Sequence, residues 1–178
     1  MEFINLKLKG AVLIKNYSRA DKRGVFIKPF TKSHDYLRNL DFDIEEVYYS
    51  ISKKNVIRGM HFQHPPMDHA KFIYLTSGKL MDVLLDLRKS SNTYKNHIAI
   101  ELSEHKNALF IPPGIAHGYL SMLDGTTVVY NQSTVYSQMH DDGILWNSFG
   151  YKWRVDDPIL SERDKTFSRL DEFKSPFI

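Results

Sequence analysis

The chain has 178 residues, 42% of them hydrophobic and 25% charged, which suits one domain with a sizeable core. Its net charge is only +3, with Lys and Arg spread along the chain, which argues against nucleic acid as the main partner while leaving room for a local basic pocket for phosphates. Cysteine is absent, so disulfides, thiolate catalysis and Cys-based zinc sites are excluded, and a reducing compartment fits.

Residues 1–9 alternate apolar and polar side chains and lack the unbroken apolar core of a signal peptide. No stretch approaches the roughly 20 apolar residues that span a bilayer. A cytoplasmic protein with no membrane partner is expected. Further along, period-two patterns predict strands over 11–14, 24–27, 45–52, 56–63, 72–76, 79–87, 97–102, 108–111, 117–122 and 126–133. Ser77-Gly78 signals a tight hairpin, and Asp124-Gly125 marks another turn. In the arm after Gly78, Met81, Val83, Leu85 and Leu87 share one face while Asp82, Leu84, Asp86 and Arg88 share the other. Short helices are expected over 33–40 and 161–170, the second with Ser161 as a cap. Many short strands with few helices predict a single all-β domain over 1–178, a sandwich or barrel.

Two segments carry chemistry. Arg58-Gly59-Met60-His61-Phe62-Gln63 and Ile111-Pro112-Pro113-Gly114-Ile115-Ala116-His117-Gly118-Tyr119 each place a histidine beside a glycine. Histidine titrates near neutrality and is suited to moving protons. The glycine lets a ligand or another backbone approach closely. Together the two segments predict one cavity lined from separate strands. Strict alternation puts Gly59, His61 and Gln63 on one face and Arg58 on the other, so only a bulge at Gly59 brings Arg58 to the same site.

The first segment resembles the RGLHxQ signature of the dTDP-4-dehydrorhamnose 3,5-epimerases. The order downstream is similar too: Lys71, Gly78, Asp82-Val83-Leu84-Leu85-Asp86-Leu87-Arg88, Ser91-x-Thr93, the Pro112–His117 segment, Tyr130, Ile144-Leu145-Trp146-Asn147 and Leu160-Ser161-Glu162-Arg163-Asp164. The resemblance implies a cupin-type jelly roll with one or two short helices. It implies a homodimer that takes a nucleotide sugar, needs no metal or organic cofactor, and serves polysaccharide biosynthesis. It assigns His61 as base, Asp164 as its carboxylate partner, Tyr130 as acid and Lys71 as the group steadying an enolate oxygen. Arg23, Arg58, Gln63, Asp82, His117, Asp141 and Arg163 are carried over as substrate contacts, and Lys28, Glu46 and Tyr48 stand where the family holds other nucleotide-contacting residues.

The chemistry explains the combination. In a 4-keto sugar C3 and C5 both flank the ketone, so either proton can leave to give an enolate. Inversion needs a base on one face of the ring and an acid on the other, with a donor at the charged oxygen. Taken singly, Tyr130 reads as strand packing, Lys71 as a surface residue and Asp164 as part of a solvated face; the joint match outweighs these readings. A metal site drawn from His61, His64, His69 and His117 with Asp82 or Glu101 is disfavoured: His61-x-x-His64 sends its rings to opposite strand faces, and the HxH pair common in cupins is absent.

Because Glu46 only accepts hydrogen bonds when ionised, the departures at Lys28, Glu46 and Tyr48 raise a CDP- or GDP-linked substrate as an alternative, with one centre inverted rather than two. A non-catalytic sugar-nucleotide-binding module is the other alternative, and it has no need of Lys71, Tyr130 and Asp164 beside His61. Residues 1–9 are expected to add a strand to the sheet of a second copy.

Overall fold

Alternation of apolar and polar side chains is realised as thirteen strands in the computed structural model, which describes residues 1–40 and 42–178. In chain order they are β1 (Glu2–Asn5), β2 (Val12–Lys15), β3 (Tyr17–Asp21), β4 (Gly24–Lys28), β5 (Glu46–Ser52), β6 (Ile57–Gln63), β7 (Lys71–Ser77), β8 (Lys79–Asp86), β9 (His97–Ser103), β10 (Asn107–Ile111), β11 (Ile115–Ser121), β12 (Thr126–Gln132) and β13 (Asp141–Gly143). Each strand expected from alternation is present; β1, β3 and β13 are additional. The helices shrink to α1 (Asp35–Arg38), capped by the His34 ring accepting from Tyr36 N, and a 3₁₀ turn over Arg163–Lys165. Ser161 does not occupy the cap position, but its hydroxyl accepts from Asp164 N at 3.1 Å. The stretch from 161 has too few apolar positions at helical spacing to bury a longer helix.

Two antiparallel sheets pack face to face as a cupin-type jelly roll. One has strand order β1-β2-β10-β7-β12-β5, the other β13-β6-β11-β8-β9; β3 and β4 form a separate hairpin. Between the sheets, Ile73, Leu75, Leu109 and Val128 meet Leu80, Leu84, Leu102 and Tyr119. The alternation in β8 has a purpose at both faces. Leu80 and Leu84 enter this inner core, while Val83 and Leu85 lie under Phe149, Trp153, Leu170 and Phe177 of the C-terminal segment. The outer face of the other sheet, Ile14, Phe72 and Phe110, is covered by Leu37 and Phe42. Burying both faces removes nearly all large apolar side chains of the central strands from water, at about 25 cal/mol per Å² of apolar surface.

One edge is left uncovered. β5 ends its sheet, and its outward Val47, Tyr49 and Ile51 are exposed, as are Val25 and Phe26 on the β3–β4 hairpin. At the opposite edge β1, expected to join the sheet of a second copy, pairs with β2 of its own chain, Phe3 opposite Ile14, and is itself the edge strand. Near one end of the sandwich the inward positions turn polar, and there the sheets part.

Candidate active site

The polar end holds a cavity of about 480 Å³. His61, Arg58, Gln63 and His117 reach it from the five-stranded sheet; Lys71, Tyr130, Tyr48 and Glu46 reach it from the six-stranded sheet. Asp141 and Arg163 close its rim.

Arg58 and His61 share the cavity because β6 carries an extra residue. His61 lies opposite His117 and Arg58 opposite Tyr119, so three steps on β6 match two on β11. That bulge re-aims Arg58 past Gly59, and its Nε donates to Ser52 Oγ at 3.1 Å. The glycines are required for contact. A Cβ on Gly59 would lie 2.5 Å from the Gly118 Cα, and one on Gly118 would lie 2.8 Å from the Arg58 carbonyl oxygen. The backbones of β6 and β11 touch there, which no side chain permits.

His61 is oriented from behind. Its Nε2 lies 2.8 Å from Asp164 Oδ1, and the other carboxylate oxygen accepts from Gly59 N at 3.1 Å. Burial raises the Asp164 carboxyl, but hydrogen bonds from His61, Gly59 and Ser161 outweigh it and hold the group below its ordinary value. An ionised Asp164 takes the Nε2 proton as its hydrogen bond, which assigns the tautomer and leaves Nδ1 with a free lone pair. Burial pulls His61 below its ordinary value, Asp164 works against that, and the charges of Lys71 and Arg163 add to the fall. The side chain keeps 30% of its surface exposed. A neutral imidazole with a free nitrogen is a base ready at neutral pH. Arg163 pairs with Asp141 at 2.6 Å and lies 5.0 Å over the Phe167 ring, whose edge meets the His61 ring at 5.7 Å.

Lys71 is not a surface residue. It is buried at the start of β7, its Nζ donates to the His61 carbonyl at 3.2 Å, and burial brings its pKa down to about 8, against the pull of Asp141 and Asp82. Tyr130 is likewise buried, with its phenol held well above the ordinary value by burial and by Tyr119 and Tyr48. His117, next to His61 across the strand pair, sets its Nε2 2.7 Å from Asp82 Oδ2; that aspartate's Oδ1 has no partner among the described residues.

Several candidates stand differently from a direct substrate contact. Gln63 has both ends of its amide engaged: Nε2 donates to Met67 O at 2.6 Å, and Oε1 accepts from Ser137 N at 2.6 Å. Glu46 accepts from Tyr136 N at 2.5 Å. These two side chains latch the loop after β12 against the cavity wall. One Glu46 oxygen thus serves the backbone, while the side chain still lines the cavity. Arg23 and Lys28 lie on the exposed β3–β4 hairpin and do not line the cavity of their own chain; Arg23 pairs with Asp21, and Lys28 lies over Phe26.

Other lining residues were not expected as substrate contacts: Ser50, Phe62, Tyr119 and Gln132, together with His69, weighed only as a metal ligand, and Tyr136. Alternation could have found three of them, because Ser50, Tyr119 and Gln132 each stand two residues from Tyr48, His117 and Tyr130. His69 had no such signal. Burial and Lys71 push it down to about 3, so it is neutral, and its Nδ1 faces Gln63 Nε2 at 3.1 Å. Among the described residues no three His, Asp or Glu side chains gather as a metal would need, and no helix is long and apolar enough to cross a membrane.

A family model described as dTDP-4-dehydrorhamnose 3,5-epimerase matches residues 5–172. The dTDP-4-dehydrorhamnose 3,5-epimerase of Methanothermobacter thermautotrophicus is 35% identical over 96% of this chain and 95% of its own length. The crystal structure of the enzyme of that name from Sulfolobus tokodaii is 34% identical, with a TM-score of 0.91 over 99% of this chain and 98% of that one. Its counterpart from Bacillus anthracis, solved with TDP and PPi bound, is 32% identical, with a TM-score of 0.91 over 95% and 99% of the two chains. The motif order, the jelly roll and a match running almost the whole length agree, and the chain belongs to the dTDP-4-dehydrorhamnose 3,5-epimerase family.

Proposed function

We propose that this protein epimerises a dTDP-linked 4-keto-6-deoxy sugar, inverting C3 and C5 through enolates. The observation that carries this reading is the placement of His61 and Tyr130 on facing sheets across one cavity. A sugar ring lying between the sheets meets the base on one face and the acid on the other. His61 Nδ1 takes the proton α to the ketone, and the C–H electron pair moves to the ketone oxygen. The Lys71 ammonium holds that oxygen. The enolate collapses, its carbon takes the Tyr130 proton from the opposite face, and the phenolate and imidazolium reset through solvent. Asp164 stabilises the imidazolium. Burial of Lys71 and Asp164 supports catalysis over passive sugar binding, since a binding module gains nothing from such buried groups.

The relatives' names and the TDP in the Bacillus anthracis structure support thymidine as the base. Arg58 and Arg163 at the rim suit the diphosphate. Arg23 and Lys28 reach a nucleotide only if a second copy brings its hairpin to the cavity, and the bare faces of β5 and of that hairpin support a homodimer. Light scattering at micromolar concentration is expected to give twice the chain mass; a fully active monomer would refute it.

The test of the reaction is incubation with dTDP-, CDP- and GDP-linked 4-keto-6-deoxy sugars in heavy water, followed by NMR of the ring. Deuterium at both C3 and C5 with inversion, fastest on the dTDP sugar, is expected. Deuterium at one carbon alone would make the protein a single-centre epimerase. A tenfold or greater preference for CDP or GDP would move the substrate away from dTDP.

A further inference from the structure

We infer that Tyr48 is the positioning residue of the acid, a ring that holds Tyr130 in the orientation from which it delivers its proton; this rests on the epimerase reading above. The β5–β12 register sets Tyr48 directly opposite Tyr130. The two rings stack with centroids 4.7 Å apart and planes 15° from parallel, the offset-stacked arrangement aromatic pairs favour. The far end of Tyr48 is pinned as well: its hydroxyl accepts from Gln132 Nε2 at 2.7 Å, and Gln132 is itself buried on the same face of β12. Tyr48 is therefore fixed at its ring and at its tip to two residues of the strand that carries the acid.

The remaining sides of Tyr130 are closed by other groups. The His117 ring approaches at 6.1 Å and 64°. The Tyr119 hydroxyl, bridged to Ser50 at 3.0 Å and Ser52 at 2.9 Å, stands nearby. Tyr48 supplies the wall on the β5 side. Unlike the others it lies at the cavity mouth, with 41% of its surface exposed. Removing it opens a wall without cutting into the core between the sheets.

Proton delivery depends on that wall, and proton removal does not. His61 works from the facing sheet and takes its orientation from Asp164 rather than from Tyr48. After abstraction the enolate has two fates. If His61 returns a proton that has exchanged with solvent, the carbon gains deuterium with retention. If Tyr130 delivers, the carbon inverts and the phenolate recovers a proton from solvent. A Tyr130 ring free to swing loses the second route, and misplacement by about 1 Å costs on the order of 10²-fold in rate. The phenol must also stay protonated until it acts; burial, Tyr119 and then Tyr48 keep it so.

The test compares Tyr48→Leu and Tyr48→Phe with wild type and with Tyr130→Phe, measuring α-proton exchange and net inversion separately in heavy water. Tyr48→Leu is expected to lose about tenfold or more of inversion while exchange stays within about threefold, moving toward the Tyr130→Phe pattern. Tyr48→Phe keeps the stack but loses the hydrogen bond from Gln132, and is expected to lose less inversion than Tyr48→Leu. Equal loss of exchange and inversion in Tyr48→Leu, with a raised KM, would make Tyr48 a binding residue and overturn the inference, as would wild-type inversion in Tyr48→Leu. Wild-type protein that exchanges no α-proton on any of the 4-keto sugars would instead overturn the epimerase reading. Crystal structures of the two ligand-free variants judge the positioning itself: Tyr130 displaced further in Tyr48→Leu than in Tyr48→Phe supports it, and any other result overturns it.

Discussion

Of the histidine–aspartate pairs among the described residues, the two whose histidines line the cavity, His61–Asp164 and His117–Asp82, differ in what the second nitrogen faces. His61 and His117 are cross-strand partners, each with Nε2 within 2.8 Å of a carboxylate oxygen. The His61 ring keeps an open edge toward the cavity, and its Asp164 is completed by the Gly59 N–H. The His117 ring forms part of the cavity wall but is almost wholly buried, and its Asp82 carries an oxygen with no partner among the described residues. On the proposed mechanism the same two residue types make a proton-transfer device in one place and a buried brace in the other. What separates them is access: general-base catalysis needs a nitrogen open to substrate, while a brace needs only a partner for its buried polar atom.

The largest effect that separates the pairs is expected from His61→Asn. It should lower α-proton exchange by ~10²–10⁴-fold, read by NMR in heavy water, whereas His117→Asn should keep exchange within about tenfold. If the two variants lose exchange equally, the division of roles collapses.

A second test uses pH. Lys71, between the two pairs, is held to about 8 by burial, and only its charged form steadies an enolate. kcat/KM is expected to fall as pH rises through about 8, and Lys71→Arg should lose that limb because guanidinium does not deprotonate. The acidic limb belongs to His61 and should lie below the ordinary histidine value. Stability runs the other way. Between about 8 and 10.5 the unfolded chain binds more protons at Lys71 than the folded one, so this residue's contribution rises with pH there while activity falls. An alkaline limb unchanged in Lys71→Arg would assign it to another group.

The smallest effect is thermal. His117→Asn leaves Asp82 buried without its ring partner, at a cost of about 3 kcal/mol, which for a chain of this size lowers Tm by roughly 6–12 °C. His61→Asn should shift Tm less, since Asp164 retains the Gly59 N–H. Calorimetry giving the opposite order would mean that the cavity-facing pair is the brace.

The sequence determined much about this protein. Period-two alternation is a local property, and it yielded the strands that build both sheets as well as the two buried faces of β8. The order of Arg58-Gly59-Met60-His61-Phe62-Gln63, Lys71, Tyr130 and Asp164 pointed to the family, and all four proposed catalytic residues lie at or directly behind one cavity. Helix lengths were overestimated because a cap signal near Ser161 marks where a turn begins, not whether an apolar face follows to sustain it. Only the tertiary structure decided the rest. Which aspartate braces which histidine spans 103 residues for one pair and 35 for the other, and alternation assigns a face but no partner. Gln63 and Glu46 hold the loop after β12 as well as lining the cavity, a second task that no local pattern announces, and Tyr48 reads as a lone substitution until β12 sets Tyr130 against it. Arg23 and Lys28 sit in a motif yet project away from their own cavity. A side chain's role is set by the hydrogen-bonding and packing partners it meets, and those arrive from distant parts of the chain only when the sheets close.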